Sequence, residues 1–399
     1  MNWKKYFGPS TLVAAAFIGP GTLTTCTLAG VRSGYELLWV LLLAIGATIL
    51  LQEMSARLGL VTQAGLGEAF NRRFRDGVAR YLVFFLVIGA ILVGNAAYES
   101  GNISGGVLGF DLILGEFRFY PLLIGTVCFA LLYLGGYRWV ERLLIALVIL
   151  MSTCFLVTAI LVRPDLSSLL AGFVPRPVSP DRFLLVAALV GTTIVPYNLF
   201  LHASTISKKW KADASLRDLR IENAVAILLG GLISLLIVIT AAGSAGAVPE
   251  VSGAGDLAVQ LEPLFGTASR IVMGVGLLAA GISSALTAPL AAAYAARGLF
   301  GWPADDRDFR FRLVWIFILG IGVLVASIGV KPVLIIKFAQ VTNAILLPFV
   351  AAYLLYLCNS KELLGDRRNG TGINMLGGIV LLITVGLSVK SLGGVFGVW

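Results

Sequence analysis

Along this chain, long apolar runs alternate with short polar segments. Eleven of the runs approach or reach the ~20 residues that a helix needs to cross a bilayer. They lie at about 10–30, 36–58, 80–99, 120–136, 142–162, 183–205, 223–243, 268–296, 312–329, 333–357 and 373–394. The pattern predicts an all-α integral membrane protein with about eleven transmembrane helices. No charged segment followed by a separate apolar stretch and a small-residue cleavage site stands before the first run. It therefore reads as the first span rather than as a removable signal.

Composition agrees with that reading. The 399 residues are 58% hydrophobic and 13% charged, with a mean hydropathy of +0.94, which leaves too little polar surface for a soluble chain of this length. The formal charge of +9 sits mostly in alternate loops. Arg72, Arg73, Arg75 and Arg80 follow the second span, Arg138 and Arg142 the fourth, and Lys208, Lys209, Lys211, Arg217 and Arg220 the sixth. Arg297, Arg307, Arg310 and Arg312 follow the eighth, and Lys361, Arg367 and Arg368 the tenth. With Lys4 and Lys5 these fall on one side of an eleven-span chain, while 100–117 and 244–269 carry no Lys or Arg. Basic loops face the cytoplasm. The expectation is a multi-pass protein of the cell membrane, N-terminus cytoplasmic and C-terminus outside; the three arginines of 163–182 weaken the contrast slightly. The basic charge is thus accounted for by topology, without a nucleic-acid partner.

Two of the runs are broken where a helix needs continuous hydrogen bonding. The first contains Gly19-Pro20-Gly21-Thr22, and the sixth contains Pro196 within GTTIVPYNLFLHAS, residues 191–204. Proline removes a backbone donor and glycine loosens the backbone. The first span runs inside to outside and the sixth outside to inside. Spans one to five (about 10–162) and six to ten (about 183–357) then form two halves of opposite orientation, each opening on a broken helix, with about 373–394 as an extra helix. Such a pattern predicts an inverted-repeat carrier whose site lies at the midplane between the breaks. Irregular backbone at that depth must line a cavity or be buried in protein.

In their order along the chain, several segments resemble the Nramp family of divalent-metal transporters. Gly8-Pro9-Ser10-Thr11-Leu12-Val13 with Ile18-Gly19-Pro20-Gly21-Thr22 is similar to the family's first helix, and Ala56 to Thr62 to the end of its second. Pro196-Tyr197-Asn198-Leu199-Phe200-Leu201-His202 is similar to its sixth-helix signature, Leu278 to Ser284 to its eighth helix, and Gln340 with Pro348 to its tenth. The resemblance implies a LeuT-type five-plus-five inverted repeat, alternating access and a divalent metal as substrate.

The departures from the family fall on the site. Its first-helix motif is Asp-Pro-Gly-Asn; here Gly19 stands for the aspartate and Thr22 for the asparagine. Its sixth-helix motif is Met-Pro-His; here Val195 stands for the methionine and Tyr197 for the histidine. A thioether favours softer transition metals over hard cations. The chain keeps the scaffold without the carboxylate, the amide or the sulfur. Expected at the substrate site are Gly19, Gly21, Thr22, Val195, Tyr197, Asn198 and Gln340, with carbonyls freed at Gly19 and Val195 and no high-affinity metal ligand. The expected substrate is therefore a small polar organic solute or a hard, partly hydrated cation such as magnesium. The alternatives are a manganese or iron transporter typical of the family, and a membrane sensor or scaffold that does not transport.

Glu99 and His202 are candidates for a coupling or proton pathway, since ionisable groups within spans mark function by default. Glu99 is also readable as an interfacial residue bonded to the Gly-Asn-rich stretch after it, and His202 as a satisfied packing residue. Glu53 and Arg57, four residues apart, suggest an ion pair. With one histidine and no convergent acid–base or nucleophile set, hydrolytic chemistry is not expected, and Cys26, Cys128, Cys154 and Cys358 lie too far apart for a metal cluster. No enzyme activity, no cofactor and no ATP-binding sequence is expected; the partners are the transported solute, possible coupling protons and the bilayer, around a monomer.

Overall fold

The computed structural model describes residues 19–74, 77–135, 138–211, 213–244, 251–303 and 305–396. The first part of the first expected span, including the Gly8 to Ile18 portion of its motif, lies outside the described residues. From Pro20 the chain is helical almost throughout.

Helix α1 is Pro20–Ser33, followed by α2 (Leu38–Thr62), a short amphipathic α3 (Leu66–Arg73), α4 (Val78–Leu114) and α5 (Tyr120–Leu134). Then come α6 (Arg138–Leu161), α7 (Phe183–Thr193), α8 (Pro196–Lys209), α9 (Leu216–Gly243) and α10 (Ser269–Phe300). The chain closes with α11 (Phe309–Ala326), α12 (Pro332–Cys358) and α13 (Thr371–Phe396). Among the described residues, nine segments are long and apolar enough to cross a bilayer, one of them holding both α7 and α8, and α5 is a shorter apolar helix. These nine segments and α5 fall where the second to eleventh apolar runs predict them; of the first run, only the part in α1 is described. The expected loops contain further short helices at 166–171, 254–259 and 361–364.

One expectation is corrected. Residues 100–114 do not form a loop after the third span; α4 continues through them for 37 residues in all. At ~1.5 Å per residue that is about 55 Å, well beyond the ~30 Å apolar core of a bilayer. The reason is packing. α4 makes its most extensive contact with α10, and the small residues that look like turn formers let the two backbones approach. A Cβ on Gly281 would stand 2.7 Å from the Gly106 nitrogen, and one on Gly109 would stand 2.7 Å from the Gly274 oxygen. Glycines at such crossings are the membrane equivalent of interlocking side chains. Glu99 consequently lies in mid-helix, fully buried, and not at an interface.

Candidate functional site

The first break begins the described chain. Gly19 is extended (φ −102°, ψ −176°) and precedes α1, with Pro20 at the first helical position and no side chain capping the end. Proline fits there because the first-turn N–H groups have no intrahelical acceptor anyway. The second break lies between α7 and α8. Ile194 (φ −103°, ψ 88°) and Val195 (φ −91°, ψ 116°) are extended, as a residue before proline must be.

Breaking α7 from α8 leaves carbonyls that neighbouring helices satisfy. Thr48 of α2 donates its hydroxyl to the Thr193 oxygen at 3.3 Å, and the Asn343 amide of α12 reaches the Gly191 oxygen at 3.4 Å. The carbonyls expected to be free are each already engaged in a first helical turn: Leu23 N–H donates to the Gly19 oxygen at 3.2 Å, and Asn198 N–H to the Val195 oxygen at 3.1 Å. Those two oxygens offer one remaining lone pair each rather than an open acceptor.

The two breaks meet. Thr22 of α1 and Thr192 of α7 share a hydrogen bond of 3.0 Å between their hydroxyls. A Cβ on Gly19 would lie 2.9 Å from Ser284 Oγ of α10 and 3.6 Å from the Tyr98 hydroxyl of α4. Tyr98 in turn meets Tyr197 edge to face, with ring centroids 5.2 Å apart. The Gln340 amide of α12 packs onto Gly21 so closely that a Cβ there would overlap it, and Pro20 fills the space above Gly105 in the same way. Gly19, Gly21, Thr22, Tyr197 and Gln340 are thus one cluster, joined by Tyr98, Thr192 and Ser284. Val195 contributes its backbone at the break. Asn198, in the first turn of α8, is buried.

The cluster is polar, neutral and incompletely paired. Gln340 Oε1, Asn198 Oδ1 and Ser284 Oγ are buried without a hydrogen-bond partner among the described residues. Buried acceptors left unpaired are costly, about 1–3 kcal/mol each, so groups of them mark places where something else binds. No group of three or more His, Cys, Asp or Glu side chains that could hold a metal ion occurs among the described residues.

Glu99 and His202 are not in the cluster. Glu99 lies against Gly322 of α11, and Asn102 donates to its Oε2 at 3.1 Å, while Oε1 has no partner among the described residues. It is a neighbour of the site through Tyr98, one residue before it, which packs on Tyr197. His202 is fully buried within α8, with Nδ1 2.8 Å from Gln52 Oε1 of α2. Tyr98, Thr192 and Asn343 were not legible as site residues. Tyr98 was screened by the ionisable residue beside it, and Asn343 shows only as one turn beyond Gln340.

Comparison with known proteins agrees with this geometry. A family model described as natural resistance-associated macrophage protein-like (Nramp) matches residues 10–393. The divalent metal cation transporter MntH of Deinococcus radiodurans is 29% identical over 395 residues, covering 96% of this chain and 88% of that protein. The MntH of Verminephrobacter eiseniae is 31% identical over 418 residues, covering 98% and 91%. Among solved structures, the manganese transporter of Eremococcus coleocola superposes with a TM-score of 0.81 at 22% identity, covering 99% of this chain and 89% of that one. The fold is the LeuT-type five-plus-five inverted repeat with broken first and sixth helices. With breaks, packing and a family match over nearly its whole length in agreement, this chain belongs to the Nramp family of secondary transporters.

Proposed function

We propose that the chain carries divalent metal cations across the membrane by alternating access, holding the ion with neutral oxygens and part of its water shell. What carries the reading is the near-full-length likeness to proteins named as divalent metal cation transporters, together with two helix breaks that converge on one polar cluster. The expectation of a small organic solute draws no support from these relatives, which favour the alternative of a manganese or iron transporter; the hydrated hard-cation reading bears only on how the ion is held.

The side chains decide how such an ion is held. Thr22, Asn198, Gln340 and the second lone pairs of the Gly19 and Val195 oxygens are hard, uncharged donors. Hard oxygen donors suit magnesium, calcium and manganese, and without a sulfur the preference for softer metals is lost. Neutral donors also compensate the ion's lost hydration poorly. The site therefore keeps waters on the ion, binds weakly and discriminates little among hard dications. Glu99 and His202 serve as the proton pathway beside the site; a buried carboxylate with one unpartnered oxygen is a natural proton holder. The two repeats run over about 10–162 and 183–357 with 373–394 as an added helix, in a monomer with its N-terminus in the cytoplasm.

The test is uptake into proteoliposomes containing the purified chain, offering manganese, cadmium and magnesium with a metal-sensing dye inside and internal pH followed in parallel. Manganese uptake suppressed by excess magnesium is the expected result. Cadmium uptake indifferent to magnesium would refute neutral, hard coordination. Silence for all three from folded protein would refute divalent-cation transport.

A further inference from the structure

On the outer flank of α7 lies an apolar groove of about 510 Å³, walled by α2, α7 and α13. Leu43, Leu50, Val190, Ile194, Ile379 and Ile383 line it. Gly46 stands in its wall, and a Cβ there would meet nothing within 4 Å. At one end the groove runs into a second hollow of about 260 Å³, with Trp39 and Val178 lining both. That second hollow is polar and basic: Arg176 and Arg182 line it, with Glu36.

The charges at this end are unequal in their pairing. Arg182 is taken up by Glu36 and stands 4.0 Å from Asp181. Lys390 of α13 lies over the Phe183 ring at 4.3 Å, at the same rim. Arg176 is exposed and has no ion-pair partner among the described residues. The indole N–H of Trp39, at the junction of the two hollows, has no hydrogen-bond partner among them either. An apolar trough opening on an uncommitted guanidinium is complementary to one kind of molecule, an amphiphile with a hydrocarbon tail and an anionic head.

We propose that this groove is a specific site for an anionic phospholipid of the leaflet that borders the 163–182 segment, one acyl chain lying along Gly46 and the phosphate at Arg176. Trp39 marks the boundary between chain and head, where amphipathic indoles sit in membrane proteins. A free anion would have no use for the trough, and a second copy of this chain would have to present an acidic group above an apolar ridge. The inference is independent of the cargo. It also places the lipid against α7, since Val190 and Ile194 are the last residues of the wall before the break at Val195. A seated chain braces the half-helix that ends at the candidate site.

The full-length chain in mild detergent can be titrated with dioleoyl phosphatidylglycerol and, separately, dioleoyl phosphatidylcholine, and followed by native mass spectrometry. One phosphatidylglycerol should bind ahead of all others, about fivefold tighter than phosphatidylcholine, the scale of one basic residue near an anionic surface. Gly46→Leu fills open space without meeting a neighbour and should weaken that first lipid roughly tenfold, through lost burial of its chain. Arg176→Gln, on the exposed rim, should erase the preference for phosphatidylglycerol and leave chain binding in place. Equal binding of the two lipids would overturn the proposal, as would a first lipid untouched by Gly46→Leu. Full displacement by glycerol phosphate would overturn it in favour of a simple anion hollow. A dimer that Gly46→Leu converts to monomer would assign the groove to a second copy instead.

Discussion

Two polar regions inside this molecule are built on opposite terms. Near the C-terminal end of α2, Arg57 is buried and fully engaged: Nε lies 3.1 Å from Glu53 Oε1, and the guanidinium also donates to Asn369 Oδ1 at 2.6 Å and to the Arg367 oxygen at 2.5 Å. Glu53 accepts a second partner, Arg220 of α9, at 2.9 Å. That network carries three full charges, and each of them has a partner. At the meeting of the two breaks the side chains are neutral, and several have none among the described residues. The charged region ties α2, α9 and the 365–370 segment together. The neutral region leaves Gln340 Oε1, Asn198 Oδ1 and the hydroxyls of Tyr98, Tyr197 and Ser284 without partners among the described residues. Full charge with full pairing is a structural device, whereas weak polarity with missing partners is what a site for a passing ligand looks like.

The contrast breaks first at Arg57. Arg57→Ala leaves Glu53 with Arg220 alone and takes the donor from Asn369 Oδ1, so the loss approaches but does not exceed the about 3–5 kcal/mol of a fully broken buried pair. It should lower the thermal unfolding midpoint in detergent further than either Gln340→Leu or Glu99→Gln. A midpoint equal to that of the unaltered chain would mean that the network is not structural. Gln340→Leu is the converse. It removes an amide over Gly21 whose Oε1 has no partner among the described residues, so stability should hold or rise, while uptake falls roughly tenfold for one lost ligand at ~1.4 kcal/mol. Loss of stability together with unchanged uptake would reverse the assignment of the two regions.

Glu99→Gln tests the residue between the extremes, a charge-bearing group with one partner. Cation uptake should persist and the accompanying internal acidification should disappear. Acidification equal to that of the unaltered chain would remove Glu99 from the proton path.

The smallest effect is at the surface. Asp165 caps the 166–171 helix, accepting from the Ser168 N–H at 2.8 Å and the Ser167 hydroxyl at 2.6 Å. These bonds favour the carboxylate and hold its pKa down to about 2, below the ordinary 3.8. A depressed acid stabilises above its unfolded pKa and loses that contribution as pH falls through the folded one. Hydrogen-exchange protection of the Ser168 amide, corrected for intrinsic rate, should therefore be flat from neutral pH down to about 4 and fall toward about 2. Protection already lost near pH 5 would show that the cap is not the carboxylate.

Much of the architecture is legible in the chain, because hydropathy over ~20 residues and the missing donor of a proline are local properties. The spans, their order and the breaks at Pro20 and Pro196 come from that level; the resemblance to Nramp comes instead from short motifs such as Pro196 to His202. Failures arose where a local signal had a distant cause. Gly101, Asn102, Gly105 and Gly106 read as a turn because small polar residues break isolated helices. They continue α4 because neighbouring helices close on them: Gly281 of α10 meets the backbone of Asn102 and Gly106, Gly101 faces Ala339 of α12, and Gly105 faces Pro20. The freed carbonyls of Gly19 and Val195 were a correct inference about broken helices in general, but the turn that follows each break uses them. The substrate is the same lesson at the level of chemistry. The departures at four positions point away from a tightly held transition metal, toward an organic solute or a hydrated hard cation, whereas the whole chain's likeness is to proteins named as divalent metal cation transporters.

The order of residues alone is thus enough to set where the chain crosses the membrane, where its helices must part and which ligand types are present. Which of those groups are consumed by neighbours, and which remain for a ligand, is settled by how the helices pack. Thr48 and Asn343 reach the broken end of α7 from helices far away in the chain, and Arg57 spends its donors on residues more than 300 positions distant. A polar group's worth inside a membrane is set by whether it is paired, and pairing depends on which helix faces meet.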